Sequence, residues 1–341
     1  MTASSLPYAL RQNKYVDRKV FIDLLSRLQR HIPLDQHVYV SLGGPSLEDH
    51  KLIHTQLGLR RLVSLDGEAH IVDRQKFNKP VQCIKCVHLT TKGFIDAFQA
   101  QMRSLGFGEE PPVIAWFDYT NPKHLGQQLR EFETLLGLLN PHDIIRITVN
   151  AHPPALYAAN SRQLDHRETA DEVREERFSR LANRLEEFLP TDASPGNMDE
   201  HGLPGVISRA FGLAALSAIP TSSPNEFFPL SVIKYADGQQ MLSFTGIIIP
   251  KNEKREFINK CKLRKWEFCS KGWSDIHRID IPYLTLRERL FLDQFLPKWS
   301  PKVINKKLKF TFEGSSERTM ELLAQYKRFY RFYPHFHNIV P

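Results

Sequence analysis

Apolar positions change their period along the chain, and the changes mark out its elements. Between residues 13 and 31, Val16, Val20, Phe21, Leu24, Leu25 and Leu28 recur at helical spacing, and Pro33 follows. This pattern predicts an amphipathic helix that stops before the proline. From His37 to Leu42 (HVYVSL) a short β-rich run ends at Gly43-Gly44-Pro45, which predicts a strand running into a glycine turn. Ser46 followed by Asp49 has the pattern of a capping box. The helix it predicts, LEDHKLIHTQL, meets a C-terminal stop at Gly58. RLVSL (61–65) is the next strand and ends at Asp66. The first unit therefore reads strand, glycine turn, helix, strand, acid.

The alternation continues. VQCIKCVHL (81–89) predicts a third strand and TTKGFIDAFQAQMRSLG the helix after it. PVIAWFDYT (112–120) predicts a fourth strand carrying Asp118 at its end. A helix through LGQQLREFETLLGLL is broken by Asn140-Pro141, and DIIRITVNA (143–151) is a fifth strand. Strands alternating with helices of this length imply a parallel sheet with helices on both faces. Residues 161–189 are charged but keep Val173, Phe178, Leu181, Leu185 and Phe188 at helical spacing, and VISRAFGLAALSAI is a more apolar helix. FFPLSVIKYADGQQMLSFTGIIIP (227–250) is two β-rich runs joined by Ala236-Asp237-Gly238, a strong hairpin signal. The expected organisation is a helical segment at 1–36, an α/β core at 37–250 with a helical insertion at about 152–225, and an α-rich extension at 251–341 that includes LTLRERLFLDQFL.

Composition narrows the setting. Of 341 residues, 41% are hydrophobic and 25% charged, the ordinary globular range. No apolar run approaches the roughly 20 residues of a membrane span. The N-terminus lacks the basic-then-apolar order of a signal peptide, and four cysteines do not make a disulfide framework. A cytoplasmic protein without membrane contact is expected. The formal charge of +8 is concentrated near the C-terminus, in KNEKREFINKCKLRK, KWSPKVINKKLKF and YKRFYRFYPHFH. Aromatics interleaved with lysine and arginine suit nucleic acid; the alternative is a solvated face whose aromatics pack inward.

Candidate chemistry gathers where the strands end. In open α/β sheets ligands bind outside the carboxyl ends of the strands, where the strand order reverses. Gly43 and Gly44 let backbone approach a ligand closely. Asp66 follows the glycine turn by about 20 residues, the spacing at which a carboxylate accepts the hydroxyls of a bound ribose. Asp118, at the end of the fourth strand, is expected in the same crevice. LGGPSLED is not G-x-G-x-x-G, and Pro45 lacks an N–H, which argues against a dinucleotide pyrophosphate at the turn. A nucleoside ligand that carries no phosphate loses nothing by that absence. Glu48 and Asp49 are accounted for by the helix start. Cys83 and Cys86 form a C-x-x-C, but strand positions three apart face opposite ways, so no metal site is expected.

Five stretches carry a resemblance to a bacterial O-methyltransferase family: NKYVDRKVF, YVSLGGPSLEDHKLIH, LVSLDGEAHIVDRQKFNKP, WFDYT with RITVNAHP, and LTLRERLFLDQFLP. The resemblance implies a Rossmann-like class I methyltransferase sheet, mostly parallel and ending in an antiparallel hairpin, with helical N- and C-terminal additions. It also implies S-adenosylmethionine as methyl donor. By it, Ser41, Gly43 and Gly44 match the donor-binding turn, Asp66 the ribose acid, and Asp118-Tyr119 the fourth-strand motif. Amino-methylating enzymes of nucleic acids usually carry two prolines between acid and aromatic. Here the run is Phe117-Asp118-Tyr119-Thr120-Asn121-Pro122, so an exocyclic amine acceptor is not supported.

A hydroxyl acceptor needs a base, for which Asp118 leads and His88 and His124 follow. Tyr119 is a candidate wall for donor or acceptor. Asn13, Lys14 and Arg18 either cover the site or form a helix start with two solvated cations. Three functions follow from these residues: methyl transfer to an unidentified acceptor, a non-catalytic S-adenosylmethionine or nucleotide binder within a larger protein assembly, and nucleic-acid methylation.

Overall fold

A computed structural model describes residues 11–119, 121–158 and 168–334. Thr120, the first residues of the charged segment and the aromatics beyond 334 lie outside that set. The predicted strands form where apolar runs are densest: β1 (Val38–Ser41), β2 (Leu62–Asp66), β3 (Ile84–His88), β4 (Val113–Asp118) and β5 (Ile144–Asn150). All four pairings among them are parallel. The hairpin is β6 (Asn225–Asp237) and β7 (Gln239–Pro250), turning at Gly238 with φ +96°. β7 joins β5 antiparallel. With β8 (Ile276–Ile279) the sheet order is β3-β2-β1-β4-β5-β7-β6-β8.

The helices before the hairpin are α1 (Gln12–Leu28), α2 (Glu48–Leu57), α3 (Ala69–Asn78), α4 (Thr91–Asp96), α5 (Phe98–Ser104), α6 (Leu125–Leu138), α7 (Pro153–Leu156), α8 (Ala170–Leu185) and α9 (Leu203–Ala218). After it come α10 (Lys254–Lys260), α11 (Leu286–Asp293), α12 (Pro301–Asn305) and α13 (Ser316–Phe329). Among the described residues no helix is long and apolar enough to cross a membrane.

Two local outcomes differ from the sequence pattern. Ser46 does not cap α2: Pro45 and Ser46 are spent in a turn in which Leu47 N–H bonds Gly43 O at 3.2 Å. Leu47 precedes the helix instead, in the left-handed region at φ 54° and fully buried. The single helix expected over 90–106 is two, because Ala97 leaves helical geometry at φ −118°, ψ 25°.

The chain divides into two compact units. The larger, Phe21–Lys234 with Gln239–His277, holds the parallel sheet and its core. Phe132 is the hub of an aromatic cluster there, with the Phe211, Phe227 and Phe244 ring centroids 5.3–5.5 Å away. Truncating such a ring costs about 3–5 kcal/mol. The smaller unit comprises residues 1–20, 235–238 and 278–341. Within it, Asp237 accepts the first free N–H groups of α1, from Asn13 at 3.3 Å and Lys14 at 2.7 Å. The Asn13 amide donates to Ala236 O and accepts from Ile281 N–H. The expected helix start is thus present, but its cations are not solvated: Lys14 and Arg18 are only 5% and 3% exposed.

Candidate active site

Register, rather than proximity in sequence, assembles the rim. Ser41, the last residue of β1, is paired with Ser64 of β2 and with Trp116 of β4. Two residues beyond each of these stand Gly43, Asp66 and Asp118. Side chains alternate faces along a strand, so Asp66 keeps the face of Ser64 and Asp118 the face of Trp116. Strand spacing of about 4.8 Å sets Asp66 and Asp118 roughly 10 Å apart across β1. The chain leaves β1 toward β2 and β3, then returns to the other side of β1 as β4. The rim therefore lies at the topological switch point, where open α/β sheets bind ligands.

The two glycines answer to different demands. A Cβ on Gly43 would lie 2.4 Å from Ser64 Oγ, 2.6 Å from Leu47 Cδ2 and 2.9 Å from His50 Cε1. The protein's own packing demands that glycine. Gly44 has φ +54° and nothing within 4 Å of a Cβ position. Its glycine answers to backbone conformation and not to packing.

Beneath the turn, His50 of α2 is fully buried, with Nε2 2.9 Å from Val63 O and 3.4 Å from Ser41 Oγ. The short contact to a carbonyl requires the proton on Nε2, and burial lowers the ring's pKa, so His50 is neutral. Ser41 is accordingly buried at 2% exposure against this ring. Asp66 accepts Glu68 N–H through Oδ1 at 2.9 Å, a turn that launches α3. Its other oxygen has no protein partner among the described residues.

Tyr119 takes the opposite face from Asp118. Its hydroxyl donates to Glu131 Oε2 at 2.6 Å, beside Thr91 Oγ1 at 2.6 Å on the same oxygen and Gln127 on the other. Burial first, and the Glu131 carboxylate second, hold the phenol well above its ordinary pKa. It stays protonated and anchors β4 to α4 and α6. His88 pairs in register with Asp66, its ring exposed and 2.9 Å from Gly67 O. Three strand spacings, roughly 14 Å, separate it from Asp118. His124 is exposed on the turn after β4.

Sequence patterns missed three polar groups near the turn. Ser64 and Gln75 are fully buried, and Ser64 Oγ, both amide atoms of Gln75 and His50 Nδ1 have no hydrogen-bond partner among the described residues. Asn78, one helical turn beyond Gln75, donates to Pro45 O at 2.9 Å and ties that face of α3 to the glycine turn. For Ser64 the trace in sequence is a polar residue inside an apolar strand, Leu62-Val63-Ser64-Leu65; Gln75 and His50, on helices, leave none. Among the described residues no group of three or more His, Cys, Asp or Glu side chains is placed to hold a metal. Cys83 and Cys86 are both free thiols.

A parallel α/β sheet in the order 3-2-1-4-5-7-6, closed by an antiparallel hairpin and with acids at the switch-point rim, defines the class I methyltransferase fold. The chain belongs to the family Methyltransf_35, described as "Putative O-methyltransferase", whose model matches residues 6–341. No curated protein matches the sequence significantly. Among solved structures it is similar to Trm1 from Pyrococcus horikoshii with S-adenosyl-L-methionine, at 11% identity and TM-score 0.41. That alignment covers 72% of this chain and only 57% of the other. It is also similar to an O-methyltransferase from Bacillus cereus in complex with SAH, at 14% identity, TM-score 0.33 and coverage of 67% and 79%. Likeness at this level assigns no residue a role.

Proposed function

We propose that this protein transfers a methyl group from S-adenosylmethionine, held with its adenosine against the β1–β4 rim. The observation that carries the reading is the alignment of Gly43, Asp66 and Asp118 at one level of the sheet. The second oxygen of Asp66 accepts the ribose hydroxyls, while Oδ1 stays with Glu68. Gly44 gives the donor close access to backbone, and Ser41 supports the turn through His50. Tyr119 braces the wall on the far side of β4. Bound there, the donor supplies an already activated sulfonium methyl. The chain's part is chiefly to position it, for which effective molarities reach about 10⁵ M or more. Asp118 takes the proton of a hydroxyl acceptor. His124, on the neighbouring turn, is the second candidate base and His88 the third. Four unpaired thiols support a reducing compartment, and we place the protein in the bacterial cytoplasm.

Thermal-shift titration with S-adenosylmethionine, S-adenosylhomocysteine, NAD and ATP tests this function. The first two are expected to raise the melting temperature; stabilisation by NAD or ATP alone would refute it. Release of S-adenosylhomocysteine on incubation with a cell extract then separates a transferase from a non-catalytic binder.

A further inference from the structure

The smaller unit carries a surface that the donor site does not use. Between residues 298 and 310 the chain holds five lysines and no acid. Lys298, Lys302, Lys306, Lys307 and Lys309 are exposed, as is Arg287 at the start of α11, and none makes a side-chain hydrogen bond or ion pair among the described residues. The acids of this unit are largely consumed locally. Asp280, Glu313 and Glu321 surround Arg318 at 2.7–3.1 Å. Asp293 holds the Tyr326 hydroxyl at 2.6 Å, and Glu288 closes a capping box with Thr285. Glu288 stands among the six cations, bonded among the described residues only to neutral donors of Thr285, and the patch keeps a net positive field.

Aromatic faces run through that field. A cleft of about 510 Å³ is lined by Thr285, Phe291, Leu308 and Phe310, with three cations, Arg287, Lys307 and Lys309, and one acid, Glu288, around it. Phe310 is 45% exposed. Behind the cleft, Phe291 meets Phe295 edge-on at 5.1 Å, and Phe295 stacks on the partly exposed Trp299 at 4.5 Å. A solvated helix face explains the lysines but not open aromatic rings beside them. A flat-walled recess rimmed by cations matches a planar base joined to phosphates. In a duplex the bases are already stacked on each other, whereas a single strand offers both features at once.

We propose that this cleft binds single-stranded nucleic acid, with a base against Phe310 and Phe291 and phosphates at Arg287, Lys307 and Lys309. This binding does not depend on the donor reading, and its test uses no methyl donor. The full chain is titrated into fluorescein-labelled oligouridine and oligothymidine at several salt concentrations, following anisotropy. Affinity for one or both is expected to fall steeply with salt. Combined Arg287→Ala, Lys307→Ala and Lys309→Ala should weaken binding at least tenfold and flatten the log–log salt slope by about 2. Phe310→Ala should weaken it roughly fivefold or more at an unchanged slope, because only stacking is lost. All four side chains are exposed, and melting temperatures check that the variants fold. Binding of RNA alone or DNA alone assigns the strand type. Failure to bind either, unaltered affinity in the variants, or tight retention on phosphatidylserine vesicles without oligonucleotide binding overturns the proposal.

Discussion

Asp66 and Asp118 stand at the same level of the sheet, one on each side of β1, each two residues past a register partner of Ser41. That relationship brings two acids 52 positions apart in sequence to one rim of the sheet. Under the proposed function they take separate tasks: Asp66, fixed through one oxygen by the turn into α3, offers the other to a ribose, and Asp118 serves the acceptor.

Asp66→Ala is expected to lower affinity for S-adenosylhomocysteine at least tenfold by calorimetry. Loss of the bond to Glu68 N–H should cost about 1 kcal/mol of stability, leaving the fold intact. Wild-type affinity in this variant removes Asp66 from the site.

The glycines should separate in their effects. Gly43→Ala drives a methyl into Ser64, Leu47 and His50 and should destabilise the protein by about 1–3 kcal/mol in urea denaturation. Gly44→Ala meets no atoms but keeps a left-handed φ, so about 1 kcal/mol is expected, together with weaker donor binding. Equal stability losses would contradict the division of labour.

Tyr119→Phe removes one of the donors to a buried carboxylate. A loss of about 1.5–3 kcal/mol is expected, with donor affinity within twofold of wild type. A large affinity loss without destabilisation would place Tyr119 against the ligand instead.

Asp143 provides a pH signature. It accepts Val113 and Asn140 N–H groups at 2.7 and 2.8 Å, yet burial raises its pKa to about 7. A carboxyl with a raised folded-state pKa contributes stability that is complete below the unfolded value near 4 and is lost as pH rises through about 7. Between these limits the folded state binds the extra proton, so its contribution falls by up to about 1.4 kcal/mol per pH unit. Asn cannot titrate. Urea unfolding of wild type and Asp143→Asn between those limits should show the wild-type advantage shrinking as pH rises; a constant or growing difference contradicts the shift.

The sheet was legible because its strands are short runs rich in Val, Ile and Leu bounded by turns and helices, and Asp66 and Asp118 because each closes such a run. Helix α3 was not, since its buried positions include Gln75 while Phe77 is 91% exposed, against any amphipathic pattern. The need for Gly43 was hidden too: it comes from His50 and Ser64, which only the folded chain brings against it. The same holds for Glu131, whose partners Tyr119 and Thr91 come from the end of β4 and from α4. The smaller unit draws on three separate stretches of chain, and no pattern running along the sequence records that grouping.

A crystal structure with S-adenosylhomocysteine decides where the donor sits. Both ribose hydroxyls are expected on Asp66 and the adenosine beside Gly44, with the sulfur on the Asp118 side of β1. Nucleoside density elsewhere on the protein, or a rim closed by the protein's own side chains with Asp66 facing bulk solvent, would contradict this placement.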